Sequence, residues 1–463
     1  MTIPLVDQSP GVLDEEWTEN TTILGRSRPA AAPRRSAGNL ATLALPHRVD
    51  EDPLMLRVKP FAALRPHPSL ASKVASPPYD VVDTDEARAI ADGNPLSFLH
   101  VVRPEIDLPD GTDIHADEVY AKAAENFRRL IDDDILVREP EPRIYLYRQV
   151  RRHQAQIGIV ACCHIDDYVN NIIRKHEKTR RDKEDDRTRH VLAINANAGP
   201  VFLTYRDRPD LTQLVETDVN ARPLFHFVAP DGVTHTAWIA PDAAPYVEAF
   251  RTIDAAYVAD GHHRSASAAR AGAARRAQDP NPTPDAEYNW FLATLFPASQ
   301  LTILPYNRLV ADLNGLTPAG ALAALGTVGR LSPTSDPVPG RAGVFCLYVD
   351  GGWHRLELDE STIDAADPIG SLDVSLLHDR VLGPLFGIGD PRTDDRINFV
   401  GGIRGTDELK RRVDAGKAAL AVSMHPTSIE QLLSVSDAGA IMPPKSTWFE
   451  PKLRSGLFVH TLD

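Results

Sequence analysis

The stretch YVADGHHRSASAAR, Tyr257–Arg270, places two histidines and an arginine directly after an apolar run that ends in Asp-Gly. The apolar part is typical of a strand, and the small residues that follow are typical of a helix. The first amides of a helix and its dipole favour an anion. A glycine at such a turn also lets a ligand approach the backbone. The pattern therefore suits a phosphate-binding turn.

The candidate phosphate ligands in this stretch are Asp260, Gly261, His262, His263 and Arg264. Arg264 would supply a forked set of donors that matches phosphate oxygens. The two histidines could donate, accept or shuttle protons. In the alternative interpretation, Asp260 caps the helix and the histidines bind local carbonyl groups, and the sequence leaves both open.

A second stretch, RKHEKTRRDKEDDRTRH, holds twelve charged residues between Lys175 and His190, seven positive and five negative. A nearly balanced run usually forms the solvated face of a helix. The alternative is a catalytic segment in which Glu177 acts as a general base, Lys175 contacts phosphate, and Glu184 or Asp186 holds Mg²⁺. The catalytic candidates of this segment are His176, Glu177, Arg180 and Arg187.

Two short motifs near the beginning of the chain supply candidate substrate contacts. ASPPYDVVD places Tyr79 and Asp80 after two prolines, which would either present them rigidly to a pocket or form a simple turn. FLHVVRPEID is interpreted as a strand that carries Arg103 and Glu105 on one side. Arg103 is therefore a candidate substrate ligand, with a structural Arg–Glu ion pair as the alternative.

The motif IMPPKSTWFEPKLRSG lies near the end of the chain and carries several hydrogen-bond donors. Lys445, Ser446 and Thr447 are added to the candidate nucleotide ligands, and Lys452 follows them. The glycines of a Walker A loop are missing before the Lys-Ser pair. We expect a stiff loop that either closes over the ligand of the first domain or binds a partner.

The composition restricts the class of protein. The chain has 463 residues, is 43% hydrophobic and 25% charged, and carries a net charge of -14. Such acidity disfavours nucleic acid as a partner but permits a local site for a small anionic substrate. Three cysteines without C-x-x-C spacing exclude a disulfide framework. No apolar run approaches a membrane span, so we expect a soluble cytoplasmic protein of unknown oligomeric state.

Short strands, hairpins and helices alternate along the chain, which predicts an α+β fold. Residues 1–52 are rich in Pro, Ala, Ser and Arg, which predicts a disordered tail, with a binding arm as the alternative. The pattern of predicted strands and helices changes near residue 308. We therefore expect a first domain over 53–308, which contains the phosphate-binding turn, and a second α+β domain over 309–463.

Several of these motifs resemble known families. VADGHHRSASAARAG and LRVKPFAALRPHP resemble two boxes of the ParB/sulfiredoxin superfamily, in which a similar segment at a helix start holds nucleotide phosphates. Much of the chain from about residue 57 to the end is similar to a prokaryotic domain-of-unknown-function family, DUF1015. The matching pieces are SPPYDVV, NPLSFLHVVRPEIDLP, IIRKHEKTRRDKEDDRTRH, ADGHHR, NWFLATLFP, SLDVSLLHD and MPPKSTWFEPKLRSG.

The resemblance implies a ParB/sulfiredoxin-like first domain and a small-molecule kinase that uses ATP or ADP with Mg²⁺, because that superfamily includes a free serine kinase. It implies an amino acid such as serine as the acceptor. The alternatives are a nucleotide-binding switch without chemistry, as in ParB, and a protein that only hydrolyses nucleotide.

Overall fold

The computed structural model describes residues 55–463, so the tail predicted over 1–52 lies outside the described residues. The described residues belong to one compact unit. Within the described part, none of the helices combines the length and the apolar character that crossing a membrane requires. The three cysteines are buried as free thiols.

The strands of the described part are short, and most have between two and eight residues. They are β1 (Val58–Lys59), β2 (Leu64–Pro66), β3 (Leu136–Arg138), β4 (Tyr145–Arg151), β5 (Gln154–His164), β6 (Ile173–Arg174), β7 (Ala196–Asn197), β8 (Val201–Tyr205), β9 (Phe225–Val228), β10 (Thr234–Ile239), β11 (Ala256–Asp260), β12 (Trp290–Pro297), β13 (Thr302–Leu304), β14 (Tyr306–Val310), β15 (Arg330–Pro333), β16 (Val344–Val349), β17 (Gly352–Glu357), β18 (Ile397–Gly401), β19 (Leu420–Ser423), β20 (Trp448–Glu450) and β21 (His460–Thr461).

The α-helices lie between these strands. They are α1 (Ala71–Val74), α2 (Thr84–Ala91), α3 (Leu99–Val102), α4 (Asp117–Asp132), α5 (Ile165–Val169), α6 (Arg181–Ile194), α7 (Pro209–Asp218), α8 (Ala244–Phe250), α9 (His262–Gln278), α10 (Pro318–Leu325), α11 (Asp373–Leu377), α12 (Gly383–Phe386), α13 (Gly405–Asp414) and α14 (Ile429–Asp437).

The larger sheet has nine strands in the order β6-β11-β8-β12-β5-β4-β10-β9, with β1 paired to β5. Both of its faces are covered, because along β8 Phe202 packs into one apolar cluster and Leu203 into another. Successive side chains of a strand point to opposite faces. This explains why the central strands β8 and β12 are largely apolar runs and do not alternate with polar residues.

The last twenty residues return to the first part of the chain. A six-stranded antiparallel sheet, β15-β17-β16-β19-β14-β18, occupies the region after residue 305. Then β20 pairs with β13, and β21 pairs with β7. Val459 forms a bridge with Leu64, and Ser455 one with Ser76. The expected domain boundary between residues 308 and 309 stays a prediction.

The α+β class predicted from the sequence is confirmed, and so are most of its elements. The predicted hairpins form as the antiparallel pairs β4–β5, β9–β10 and β16–β17. The predicted strand and helix around the Asp-Gly turn are β11 and α9. In α14 the helix is capped by Ser428, which forms a capping box with Gln431.

The strand predicted for FLHVVRPEID is wrong. This segment forms the helix α3 and then a 3-10 helix over Pro104–Asp107. A run of β-branched residues carries the same apolar signal in a buried helix turn and in a strand, and Pro104 is well placed at the first turn of a helix. Arg103 and Glu105 nevertheless form the ion pair that the alternative interpretation described, at 2.9 Å.

Candidate functional site

The site is built around the turn that joins β11 to α9. The pairing of β11 with β8 shifts register between Val258 and Asp260, so the strand ends irregularly. Gly261 then adopts a φ of 92°, a left-handed conformation that glycine accepts easily. The first hydrogen bond of α9 runs from the Ser265 amide to the Gly261 carbonyl at 2.9 Å. The amides before it point out of the helix start, where the helix dipole favours an anion.

Asp260 is held at the end of β11 by two cations. Lys452 Nζ lies 3.3 Å and an Arg264 nitrogen 3.4 Å from its Oδ2 atom. Burial alone would raise the pKa of Asp260, but Lys452 and then Arg264 outweigh it, and the pKa stays well below its usual range. The carboxylate is therefore charged, and the Lys452 segment is anchored to the start of α9.

Arg264 is a buried cation within the first turn of α9. Its side chain is 10% exposed, lies 3.7 Å from Asp80 Oδ2, and donates to the carbonyl oxygen of Pro200. Its Nε atom is buried without a hydrogen-bond partner in the described residues. A Cβ atom on Gly261 would come within 3.0 Å of the guanidinium group. Glycine thus allows the arginine to lie directly against the turn.

His176, Glu177 and His262 form a cluster beside this turn. The two imidazole rings meet edge to face with centroids 4.4 Å apart. Glu177 Oε2 lies 3.9 Å from His262 Nδ1, and the Glu177 side chain is 41% exposed. Burial lowers the pKa of His176 to about 4, and burial and the neighbouring His176 lower that of His262. Both histidines are therefore neutral near pH 7.

The environment of Glu177 raises the pKa of its carboxyl group. Burial raises its pKa above the usual range, the charge of Lys445 opposes this, and Asp260 adds to the increase. A carboxylate with a raised pKa is a better proton acceptor at neutral pH than a free one. Because its side chain is partly exposed, it can also meet a substrate that enters from solvent.

The structure brings His263 and Arg180 together through the backbone. The Arg180 amide donates to His263 Nε2 at 3.1 Å. The Arg180 side chain points to solvent, is 71% exposed, and pairs with Asp182 at 2.7 Å. Its predicted catalytic role would require the side chain to turn toward the ligand.

Glu184 and Asp186, the predicted Mg²⁺ ligands, are engaged in other contacts. Glu184 accepts a hydrogen bond from Thr179 and pairs with Arg270 at 3.2 Å. Asp186 is buried, accepts from Tyr120 at 2.7 Å, and pairs with Arg187 at 2.7 Å. A magnesium ion at either carboxylate would have to displace these partners.

Tyr79 and Arg187 line a small cavity beside Arg264. The Arg187 guanidinium stacks on the Tyr79 ring at 4.4 Å. The cavity has a volume of about 50 Å³ and is also lined by Asn197 and Ser455. It can take a small group of a ligand, whereas pockets that hold a whole drug-sized ligand have volumes of roughly 300–1,000 Å³.

The remaining predicted nucleotide ligands differ in whether they contact the cluster of His176, Glu177 and His262. Thr447 Oγ1 lies 3.4 Å from His176 Nε2, so the late loop does reach the cluster. Ser446 is occupied by its own loop through the Pro443 carbonyl. Lys445 lies over the Tyr306 ring at 5.6 Å, and Lys175 lies over the Tyr168 ring at 4.1 Å.

Sequence reasoning named most of these residues but missed how they combine. It did not pair Lys452 with Asp260, and it did not group His176, Glu177 and His262. Arg103 pairs with Glu105 and donates to Thr84, and its role as a substrate ligand stays a prediction. The ends of β6 and β11 come together because the two strands pair in parallel. Periodicity alone could not predict this pairing.

Comparison with known proteins assigns the chain to a family. The profile of "Protein of unknown function (DUF1015)" matches residues 58–375, more than half of the chain. The chain belongs to this family. The resemblance recognised in the sequence is thus confirmed for the DUF1015 family, although the late motif MPPKSTWFEPKLRSG lies beyond the matched residues. No curated protein matches this DUF1015 chain.

Three solved structures are similar to this DUF1015 protein. A free serine kinase mutant in complex with AMP is 11% identical, with a TM-score of 0.33, over 65% of this chain and 92% of that one. SbnI from Staphylococcus aureus, truncated at its C-terminus, is 12% identical, with a TM-score of 0.36, over 65% and 87%. A hypothetical protein from Pyrococcus furiosus is 12% identical, with a TM-score of 0.33, over 68% and 97%. At these TM-scores the argument for function rests on the site itself, and the ParB/sulfiredoxin relationship stays a prediction.

Proposed function

We propose that the protein binds a nucleotide by its phosphates at the start of α9 and transfers a phosphoryl group from ATP or ADP to a small hydroxyl compound. The observation that carries this proposal is the meeting of Lys452 and Arg264 on Asp260, directly before the free amides of α9. Cations and backbone amides at a helix start are the groups that phosphoryl-transfer sites use.

The cationic side chains of the site already pair with carboxylates, and a ligand would have to bind alongside these ion pairs. Arg264 lies between Asp80 and Asp260 and keeps one buried nitrogen without a partner. Phosphate oxygens would join this network as additional acceptors for the guanidinium and for Lys452. Mg²⁺ would arrive with the nucleotide and offset the charge of the nearby carboxylates.

Glu177 is the proposed base. It would take the proton of the acceptor hydroxyl, whose oxygen forms the new bond to the terminal phosphorus while the bond to the bridging oxygen breaks. The products are a phosphorylated acceptor and ADP, or AMP when ADP is the donor. Free serine is the first acceptor to test, because the sequence motifs resemble a superfamily that includes a free serine kinase.

The test is incubation of the protein with ATP or ADP, Mg²⁺ and an amino-acid mixture, followed by mass spectrometry for a phosphorylated product. We expect product from the wild type, and from Glu177→Gln unchanged nucleotide affinity but no product. Glu287→Gln is the matched control, because this carboxylate also accepts from a buried histidine, at 2.8 Å, but lies outside the cluster. Nucleotide binding without product in the wild type would favour a switch, and the absence of binding would contradict the proposal.

A further inference from the structure

We propose that His176, Glu177 and His262 form a site for a divalent transition-metal ion, with Zn²⁺ as the reference ion. In the part of the chain that the structure describes, one ring nitrogen of each histidine and one Glu177 oxygen lie within 4.8 Å of one another. Two imidazoles and one carboxylate with a free fourth position are the donor set of catalytic zinc sites. The site is distinct from the carboxylates that the sequence assigned to Mg²⁺.

Unpaired nitrogens of both histidines give independent support. His176 Nδ1 and His262 Nε2 are buried without a hydrogen-bond partner in the described residues. The two residues are only 1% and 6% exposed, so water does not readily satisfy these atoms. Unpaired buried polar atoms cost free energy, and such atoms in a native structure point to an absent partner. A metal ion would accept a lone pair from one nitrogen of each ring, and the His262 nitrogen that faces Glu177 is Nδ1.

The fold explains why the three ligands meet. Strands β6 and β11 run parallel, with Ile173 opposite Ala256 and Arg174 opposite Tyr257. The residues that follow two parallel strands emerge at the same edge of the sheet. His176 and Glu177 follow β6, and His262 follows β11.

The geometry is close to that of a bound site. Glu177 Oε2 lies 3.9 Å from His262 Nδ1, and the rings are perpendicular. Ligand atoms about 2.0–2.1 Å from a tetrahedral zinc ion are about 3.3 Å apart. Small rotations of the three side chains would close the site, and Glu177 has the room to move because it is partly exposed.

The donor set selects the class of metal. Imidazole suits Zn²⁺, Fe²⁺, Ni²⁺ and Cu²⁺, whereas Mg²⁺ prefers an all-oxygen shell. An ion here would be separate from the Mg²⁺ that accompanies a nucleotide. The binding of the ion is independent of the proposed function, but its role rests on that function. A water or acceptor hydroxyl bound as the fourth ligand of the ion would have a lowered pKa.

The experiment is a calorimetric titration of Zn²⁺ into the full chain, freed of any polyhistidine tag and treated with chelator, without nucleotide. We expect one equivalent to bind, and we expect millimolar Mg²⁺ to leave the titration unchanged. Glu177→Gln should weaken binding by at least about 10-fold, since loss of even a supporting partner of a metal ligand costs that much. His262→Gln should do the same, and its thermal unfolding is measured to show that it folds.

Glu287→Gln is the control here as well and should keep the wild-type zinc affinity. If His262→Gln does not fold, the Glu177→Gln variant still tests the site, because Glu177 is partly exposed. Equal affinity in Glu177→Gln and wild type, zinc binding without 1:1 saturation, or displacement by Mg²⁺ would each overturn the site. Because no nucleotide is present in this titration, a failure to bind zinc leaves the proposed kinase reaction standing. Product formation by the chelator-treated protein is a separate measurement, which tests whether Glu177 acts as a base without a bound ion.

Discussion

Arg264 links the chemistry of the site to its stability at the level of a single residue. It is buried, contacts two carboxylates and a backbone carbonyl, and lies against a glycine that leaves it room. Removing a buried charge exposes its partners as unpaired groups, so an alanine variant would confuse folding with binding. A lysine keeps the charge but loses the planar fork.

We therefore expect Arg264→Lys to fold and to bind ADP about 10-fold more weakly, a loss of about 1.4 kcal/mol, which is near the lower end of a charge-assisted hydrogen bond. Calorimetric titration with ADP measures this. Arg270→Lys is the matched control on the same helix, since Arg270 is 41% exposed and pairs with Asp185 and Glu184. A wild-type affinity in Arg264→Lys would remove Arg264 from the ligand set.

The turn between β11 and α9 is the element on which the site depends. At Gly261 the positive φ and the closeness of Arg264 act together, so that a side chain there would be strained and would also push against the guanidinium group. At Gly232 the φ is also positive, at 80°, but a Cβ atom would meet nothing within 4 Å. The two glycines separate the effect on the backbone from the effect on the site.

Gly261→Ala and Gly232→Ala should each lower the free energy of unfolding by about 1–2 kcal/mol, the cost of a left-handed conformation for a residue with a Cβ atom. Only Gly261→Ala should weaken ADP binding. Urea unfolding and calorimetry on both variants give the comparison. Equal ADP affinities would show that the turn does not shape the binding site.

The cap of α14 tests a purely local prediction. The Ser428 hydroxyl accepts from the Gln431 amide, and the Gln431 side chain accepts from the Ser428 amide. Ser428→Ala should therefore lower the free energy of unfolding by about 1 kcal/mol, the usual cost of a lost cap. Ser434→Ala, at an exposed position of the same helix, should change stability by less than about 0.5 kcal/mol. Urea unfolding that ranks the two variants the other way would contradict the role of the cap.

Buried neutral histidines govern how the whole molecule responds to acid. Burial lowers the pKa of His176 and His190 to about 4, and burial and Arg454 lower that of His235 to about 3. Unfolded histidine titrates near about 6.5. Between these values the unfolded state binds more protons, so stability is complete above about pH 6.5 and falls as the pH drops toward 4.

His190 makes this dependence measurable. It is buried and donates through Nε2 to the Val101 carbonyl at 2.8 Å. His190→Gln should reduce the slope of unfolding free energy against pH, between pH 6.5 and 5, by up to about 1.4 kcal/mol per pH unit. His67→Gln, at an exposed position, is the control and should keep the wild-type slope. An unchanged slope in His190→Gln would mean that this histidine can be protonated without unfolding.

The sequence predicted the local parts of this molecule and failed at its long-range connections. Hairpins and the strand and helix around Gly261 follow from turn residues and periodicity. The return of β20 and β21 to β13 and β7 does not, because segments of two or three residues carry no period and pair across 144 to 265 positions of the chain. For the same reason the sequence did not pair Lys452 with Asp260 or Arg270 with Glu184.

The most direct test of the central claim is hydrogen–deuterium exchange of the full chain with and without ADP. The amides of His262, His263 and Arg264 precede the first hydrogen bond of α9, so they exchange readily unless a ligand accepts from them. The account predicts that ADP slows exchange in peptides covering residues 258–266 and in those containing Lys452. Protection confined to other parts of the chain, or no protection at saturating ADP, would contradict it.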